Sequence, residues 1–268
     1  ADEVIVAWDG HEGSQRKRSM NKDYKAGRKP VRFNRRMIEL PEEQQAANRG
    51  YQQIRLMEYL NLMPVIQLVA DYTEADDIIA HVVQTRHYEG WNKIIVSSDK
   101  DFFQLCADDI SVHRPIQKKT LNKQSIIDEF KIHPKNFALA RAIAGDKSDN
   151  LPGVRGAGLK TIAKRFPYLI REDIYEVGDI IRDCVMVGKK MKIHENIACS
   201  EQLLKDNYRI MQLYSPNIRP INRMMIDKAL QDFEPAFSKI NFTQMLFEDD
   251  AGHLNFNDLQ QVFRRIKR

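Results

Sequence analysis

The sequence predicts an α/β fold in which helices flank a mostly parallel sheet. Short apolar runs at residues 3–8, 65–69 and 94–96 indicate strands, and residues 110–113 indicate a fourth. Polar and charged stretches, long enough for helices, lie between most of these runs. Strands that alternate with helices are typical of a sheet whose strands run parallel. The short run at 94–96 is rich in β-branched residues, which predicts a buried strand of that sheet.

The helices are predicted from their first turns and their apolar sides. Residues 41–60 begin with Pro41, which suits a first helical position, and acids follow it. Residues 71–80 begin a second helix, for which Thr73 is the predicted N-cap. Helical patterns also cover residues 125–130, 134–144 and 196–213. We therefore predict an α/β core over 1–140, which includes a basic segment at 15–50, and a helical region over 141–268 that packs back on it.

Composition excludes several classes of protein. The 268 residues are 43% hydrophobic and 29% charged, and no apolar run approaches the ~18 residues that span a bilayer. No secretory signal pattern is present. The three cysteines are odd in number and lack metal-ligand spacing, which indicates reduced thiols in a cytoplasmic protein. We expect a monomer without membrane contacts.

Positive charge is concentrated in one segment. Residues 15–36 contain ten Lys and Arg and a single acid, so this segment carries +9 and the rest of the chain −4. Such a distribution predicts a polyanionic partner, nucleic acid before membrane, although a solvated basic loop would have the same composition. Aromatic residues within the run favour nucleic acid, because they can stack on bases. The candidate contacts to DNA are Arg16, Lys17, Arg18, Lys22, Tyr24, Arg32 and Arg35.

Acidic residues follow the predicted strands or begin a predicted helix. Asp9 follows the first strand, and Asp99 and Asp101 follow the strand at 94–96. Ligands of open α/β sheets bind beyond the carboxyl ends of the strands. Two further clusters, 74–77 and 146–149, carry Glu74, Asp76, Asp77, Asp146 and Asp149. Each cluster alone could complement a helix dipole or cap a loop, but their convergence would provide the oxygen ligands that Mg²⁺ and Mn²⁺ prefer, and two such ions hydrolyse phosphodiesters well.

A glycine-rich turn lies between two helical patterns at residues 145–161. Its spacing fits neither the Rossmann nor the P-loop motif, and no strand precedes it. Backbone amides in such a turn can approach a phosphate, and a lysine adds charge. We predict a helix-turn-helix that holds duplex DNA by its backbone without reading sequence. Its candidate contacts are Gly153, Gly156, Gly158, Lys160 and Thr161.

Five motifs together carry a family resemblance. They are Trp8-Asp9-Gly10, then residues 24–28 (YKAGR), 74–77 (EADD), 97–102 (SSDKDF) and 145–150 (GDKSDN). In this order the chain resembles the 5′-nuclease superfamily: flap endonucleases, the 5′–3′ exonuclease domain of bacterial DNA polymerase I and bacteriophage relatives. The resemblance implies a PIN-like core, a basic helical arch and a helix–three-turn–helix subdomain.

The resemblance also implies roles for the residues at these positions. It places Asp9, Glu74, Asp76 and Asp99 around one Mg²⁺ or Mn²⁺ ion, and Asp101, Asp146 and Asp149 around a second. It makes Lys25 and Arg28 the cations that contact the scissile phosphate, and it implies a potassium ion at the glycine-rich turn. The implied substrates are branched or 5′-ended DNA and RNA primers on DNA, and an implied partner is a single-strand-binding protein.

One feature departs from the family pattern. The family begins with an earlier strand that carries a further metal-binding aspartate, and Asp9 is only eight residues from the first residue given. We expect that an N-terminal piece is missing from this sequence. Two alternatives stay open: a PIN-type ribonuclease, which has no need for the glycine-rich turn, and a non-catalytic or weakly active binder of branched nucleic acid.

Overall fold

The computed structural model describes residues 1–27, 41–187, 191–251 and 256–263, and in these it has five strands and twelve α-helices. The strands are β1 (Ile5–Trp8), β2 (Ile66–Val69), β3 (Lys93–Val96), β4 (Ile110–Arg114) and β5 (Lys119–Leu121). The helices are α1 (Gln15–Met20), α2 (Glu42–Asn61), α3 (Ala75–Gln84), α4 (Lys123–Phe130), α5 (Phe137–Ala144), α6 (Leu159–Arg165), α7 (Val177–Val187), α8 (Lys192–Ala198), α9 (Glu201–Met211), α10 (Pro220–Gln231), α11 (Lys239–Glu248) and α12 (Phe256–Phe263).

The chain divides into two units, and the first contains β1 and β2. It comprises Ala1–Trp8, Lys29–Val69 and Pro220–Arg268. The two strands are parallel, with Ile5 opposite Ile66. Helices α2 and α11 are joined by Arg55, which pairs with Glu248 and with Asp249. These ion pairs hold together segments that are almost 200 residues apart in the sequence.

The second unit contains the other three strands. It comprises Asp9–Arg28 and Ala70–Arg219. Strands β3 and β4 are parallel, with Lys93 opposite Ile110, and β5 pairs with β4 in the antiparallel direction. The short helical turn Asp101–Leu105 continues from β3 and buries Phe102 and Phe103 in a core that also receives α5 and α9. This packing fixes the position of Asp101 at the edge of the core.

The predicted α/β class is confirmed, but the arrangement of the strands differs from the prediction. Within the described residues, the strands form two small sheets rather than one central sheet. Strand β3 was predicted to be buried, yet only Ile95 is buried, whereas Ile94 and Val96 are 63% and 66% exposed. The reason is that Ile94 and Val96 are two residues apart and lie on the same face of the strand, which is left uncovered, whereas Ile95 points to the opposite, packed face. An apolar run alone does not specify whether both faces of a strand are covered.

Three predicted helix details also differ. Helix α3 begins at Ala75 with Glu74 as its N-cap, so Thr73 does not cap it. Pro41 is the N-cap of α2 rather than its first residue. The predicted helix at 196–213 is two helices, α8 and α9, with a break at residues 199–200. The two units are each discontinuous in sequence and do not follow the predicted division at residue 140, which stays a prediction.

No helix in the described part of the chain is both long and apolar enough to cross a bilayer.

The glycine-rich turn is held by a close approach of two backbone segments. Gly145 ends α5 with φ +73, a conformation that favours glycine. Asp146 and Leu151 exchange two backbone hydrogen bonds, each 2.8 Å long. A Cβ atom on Gly153 would lie 1.9 Å from the carbonyl oxygen of Ala144, so only glycine fits there. The turn is therefore fixed against the end of α5.

We predict that Gly153→Ala lowers the free energy of unfolding by about 1–3 kcal/mol or more, because the added methyl group must push two backbone segments apart. Gly50→Ala is the matched control, since Gly50 is exposed in the middle of α2 and a Cβ atom there would meet nothing within 4 Å. It should raise stability by about 0.5–1 kcal/mol. Chemical denaturation measures both, and equal effects of the two variants would contradict the close approach.

Candidate active site

Asp9 is held at the N-terminus of α3. It directly follows β1, and its Oδ1 accepts a hydrogen bond from the backbone N–H of Ala75 at 2.8 Å. The N–H of Gly10 donates to the carbonyl oxygen of Thr73 at 3.0 Å. A Cβ atom on Gly10 would lie 1.8 Å from the carbonyl oxygen of Ala70. The Asp-Gly pair therefore lets this turn lie directly against the loop that precedes α3, where Glu74 and Asp76 begin the helix.

Glu74 is buried and neutralised by two lysines. Its carboxylate oxygens accept from Nζ of Lys17 at 2.5 Å and from Nζ of Lys25 at 2.6 Å, and the hydroxyl of Tyr24 lies 3.4 Å away. Burial opposes ionisation of Glu74, but Lys17 and Lys25 more than offset it and lower the pKa of Glu74. Glu74 is thus an ionised carboxylate in a buried environment, which requires this pairing.

Asp76 and Asp99 lie close enough to affect each other. Burial raises the pKa of Asp76 to about 7; Lys17 counteracts part of this effect, whereas the negative charge of Asp99 adds to it. Asp99 in turn accepts a hydrogen bond from the backbone N–H of Asp101 at 2.9 Å. The helix start at 74–77 and the segment after β3 therefore meet at one place.

Arg141 bridges the carboxylates of Asp101 and Asp146. This arginine of α5 donates from Nε to Oδ1 of Asp101 at 3.0 Å and from Nη2 to Oδ2 of Asp146. Burial raises the pKa of Asp101 to about 6, with Arg141 opposing the rise and Asp99 adding to it. Asp146 also accepts from the N–H and hydroxyl of Ser148, and despite burial these bonds and Arg141 lower its pKa.

Tyr24 lies between the two groups of carboxylates. Burial raises the pKa of its phenol, and the charges of Glu74, Asp149, Asp76 and Asp101 raise it further, in that order. The backbone N–H of Lys25 donates to the carbonyl oxygen of Asp149 at 3.0 Å. Residues 24–25 therefore join the helix start at 74–77 to the 146–150 segment.

Comparisons with known proteins agree with this arrangement. Residues 1–131 match the family described as 5′–3′ exonuclease, N-terminal resolvase-like domain. The predicted resemblance to the 5′-nuclease superfamily is confirmed.

The chain is 34% identical to the thermostable DNA polymerase I of Thermus aquaticus over 61% of this chain and 18% of the relative. It is 34% identical to the 5′–3′ exonuclease of Aquifex aeolicus over 40% of this chain and 37% of the relative. The matches thus cover well under two thirds of these curated relatives.

The 5′-nuclease resemblance extends to the fold. The structure is similar to that of T5 5′-exonuclease with bound zinc, with a TM-score of 0.66 and 23% identity, over 87% of this chain and 83% of that one. It is also similar to a bacteriophage T5 flap endonuclease in a pseudo-enzyme–product complex with DNA and metal ions. That likeness has a TM-score of 0.65 and 22% identity, over 87% of this chain and 83% of that one. Because both identities are below 25%, these likenesses show the fold alone.

The site has the donor chemistry that a divalent ion needs. Mg²⁺ and Mn²⁺ bind carboxylate oxygens. Burial, together with the charge of Asp99, raises the pKa values of Asp76 and Asp101, so the ionised form of each carboxylate is poorly stabilised at this place. A bound cation would stabilise that form. Among the described residues no three acids, histidines or cysteines are yet arranged as a ligand cluster. Glu74, Asp101 and Asp146 are instead bonded to basic side chains.

Two candidate DNA contacts are placed differently from the prediction. Tyr24 is 3% exposed, and its ring packs beneath the carboxylates rather than facing a base. Lys17 is 7% exposed and pairs with Glu74 and Asp77. Because both side chains are buried, they belong to the packed interior of the candidate site. Within α1, Lys17 is on the buried side, whereas Arg16 and Arg18 are exposed. Lys22, in the turn after α1, is exposed as well.

The remaining candidates are exposed or fall outside the described residues. Gly156, Gly158 and Lys160 are exposed, and Gly156 has φ +82 with open space around it. Gly153 and Thr161 are partly buried. Arg28, Arg32 and Arg35 lie outside the described residues, and so does the middle of the predicted arch, residues 28–40.

Sequence reasoning missed Arg141. Its signal was present, because Arg141 is the single charged residue in the otherwise apolar helix FALARAIA. A lone arginine in a buried helix requires a carboxylate partner. Ser148, which donates two hydrogen bonds to Asp146, was missed as well. A serine two residues after an aspartate is a common local hydrogen-bonding pattern and carried no separate signal.

We predict that the metal-free protein becomes more stable toward unfolding as the pH falls from 8 to 5.5. Folded Asp76 keeps its proton up to about pH 7, whereas an unfolded aspartate loses it near pH 4, so the folded state binds more protons in this window and stability falls as pH rises. Asp76→Asn should therefore raise Tm at pH 8 in EDTA and reduce the pH dependence. Asp101 adds to the residual slope, since its pKa is about 6.

Thermal denaturation in EDTA at several pH values measures this effect. Asp173→Asn, which changes an exposed aspartate outside the site, is the control and should leave the pH dependence unchanged. A lower Tm for Asp76→Asn than for the unaltered protein at pH 8 would contradict the crowding of carboxylates.

We predict that Arg141→Ala lowers the free energy of unfolding of the metal-free protein by about 1–3 kcal/mol at pH 7.5, because it leaves two partly buried carboxylates without their cation. Adding Asp101→Asn to this variant should recover part of the loss, because one of those charges is removed. Denaturant unfolding of the two single variants and the double variant gives the coupling energy. Additive effects would show that Arg141 does not act through Asp101.

Proposed function

We propose that this protein is a structure-selective 5′ nuclease. It hydrolyses phosphodiesters at 5′ ends, at flaps or in RNA primers on branched or nicked duplex DNA, in DNA replication. The observation that carries this proposal is the meeting of carboxylates from three segments, those of Glu74 and Asp76, of Asp101 and of Asp149, around Tyr24, with Lys25 among them. The match of residues 1–131 to a 5′–3′ exonuclease domain supports the same reaction class.

The carboxylates would hold the metal ions. In this proposal Asp9, Glu74, Asp76 and Asp99 would hold one ion, and Asp101, Asp146 and Asp149 would hold the second. Bound Mg²⁺ or Mn²⁺, two ions in this proposal, would supply an activated water and stabilise the leaving oxygen. Divalent metals are present in the similar T5 structures, which supports a metal-dependent reaction.

Lys25 would bind the reacting phosphate. In the absence of substrate its ammonium group bonds to Glu74, and its side chain is 18% exposed. With a cation held by Glu74, Lys25 would be available to a phosphate oxygen and would stabilise negative charge that develops there. Arg28, three residues further on, is assigned the same role in this proposal, although it lies outside the described residues.

The glycine-rich turn would hold the duplex. Gly156 and Gly158 present exposed backbone without side chains, and the exposed Lys160 adds positive charge beside them. Such a surface can contact phosphates without reading bases. A potassium ion at this turn, a single-strand-binding protein as partner, a monomeric state and a cytoplasmic location belong to the same proposal.

The direct test is a labelled duplex with a 5′ flap, incubated with this chain with and without Mg²⁺. We expect cleavage near the junction only with metal. Asp101→Asn should bind the flap as the unaltered chain does but cleave it at least about 100-fold more slowly, because loss of a ligand exceeds the 10–100-fold effect of losing an outer contact. Asp173→Asn should cleave normally.

Each alternative has its own outcome in this test. Metal-independent tight binding without cleavage would favour a non-catalytic binder of branched nucleic acid. Preferential cleavage of single-stranded RNA over the flap would favour a PIN-type ribonuclease. Cleavage by Asp101→Asn at the unaltered rate would reject the assignment of the second metal group.

A further inference from the structure

The second unit has an open pocket next to the carboxylate site. Its volume is about 540 Å³, and α1, the end of α9 and the turn at residues 212–218 line it. This volume lies within the ~300–1,000 Å³ typical of small-molecule sites. Lys17 and Asp77 line it on one side, and Lys17 also contacts Glu74 of the candidate active site. The α1–α9 pocket, as we call it, therefore adjoins the metal-binding carboxylates without being part of them.

The α1–α9 pocket has an excess of positive charge. Arg16, Lys17 and Arg209 line it, against Asp77 as the only acid in its lining. Lys17 is paired with Glu74 and Asp77. Arg16 and Arg209 are exposed and form no ion pair with any acid of the described residues. Two unpaired guanidinium groups facing one cavity favour an oxyanion, and guanidinium geometry suits a phosphate in particular.

An aromatic ring stands at the same pocket on a fixed turn. Tyr214 is 67% exposed, which is unusual for a tyrosine in a well-packed segment. The turn that carries it is closed by two hydrogen bonds of 2.9 Å between Gln212 and Ser215. Its backbone is also bound from outside, because Leu213 N–H donates to Gln104 and Asn217 N–H donates to Asp77. The backbone that carries the ring is thus held in a fixed place, which lowers the entropic penalty of stacking on the ring.

We propose that the α1–α9 pocket binds one nucleotide of a single strand, with its phosphate against Arg16 and Arg209 and its base stacked on Tyr214. Aromatic stacking combined with cations on the phosphate is the usual way to bind single strands without sequence preference. This inference rests on the proposed function, because the bound nucleotide belongs to the strand whose scissile phosphate lies at the adjacent carboxylates. The phosphate is either a terminal 5′ monoester or an internal diester, since both present oxyanions to arginine.

The test is a ³¹P NMR titration with the trinucleotide pTpTpT in EDTA, which prevents cleavage. Its monoester and diester phosphorus atoms give separate signals. We expect Arg209→Ala to weaken binding about 10-fold and to reduce its dependence on salt by about one phosphate contact. Tyr214→Ala should weaken binding about 5- to 150-fold, whereas Tyr214→Phe should bind within about twofold of the unaltered protein, because it keeps the ring.

The signals identify the source of the phosphate. A shift confined to the monoester, lost in Arg209→Ala, assigns the pocket to a 5′ terminus, and shifts of the diesters assign it to an internal nucleotide. Arg171→Ala, which removes an exposed arginine outside the pocket, is the control and should bind normally. Unchanged titrations for Arg209→Ala and Tyr214→Ala, in variants whose Tm is unchanged, would overturn the proposal.

Flap cleavage by the unaltered protein separates this inference from the proposed function. If the unaltered protein cleaves the flap but trinucleotide binding is the same in Arg209→Ala and Tyr214→Ala, the pocket proposal alone is rejected. Binding that depends on Arg209 and Tyr214, without any flap cleavage, would reject the nuclease assignment and leave a single-strand site.

Discussion

Neutralisation of crowded, partly buried carboxylates is the constraint that shapes the packing of the second unit. Like charges at short distances repel strongly where water is scarce, and ionised groups there need partners. Lys17 and Lys25 provide this for Glu74, and Arg141 provides it for Asp101 and Asp146. The three cations come from α1, the turn after it and α5. Those elements must therefore pack around the acids for the fold to be stable without metal.

Close backbone contacts bring the acids together from distant parts of the sequence. Gly10 allows the turn after β1 to lie against the loop before α3, so that Asp9 reaches the N–H of Ala75. Gly153 allows the glycine-rich turn to lie against the end of α5, which fixes the segment that begins with Asp146. Neither approach leaves space for a Cβ atom. Glycine at these two positions is thus required by geometry, and it places the catalytic candidates.

Two side chains connect the carboxylate site to the α1–α9 pocket. Lys17 bonds to Glu74 and also lines the pocket. Gln104 donates to the carbonyl oxygens of Asp101 and Met211 and accepts from the N–H of Leu213. A cation bound at the Glu74 carboxylate would compete directly with Lys17. Gln104 bonds to the backbone of residue 101 and holds it in place relative to residues 211–213.

Local patterns were enough to predict the α/β class, the positions of four of the five described strands and about half of the described helices, and the acids at strand ends and helix starts, because these follow from apolar spacing and residue chemistry. Which charges are buried, and what they contact, emerged from the packing of distant segments. Lys17 and Tyr24 resembled DNA contacts in a basic run, yet both pack beneath the acids, and Arg141 is bonded to carboxylates that lie 40 and five residues away. Strand β3 looked buried, but one of its faces is uncovered, which leaves Ile94 and Val96 exposed. Burial and ion pairing depend on which distant segments pack together, and no local pattern encodes that choice.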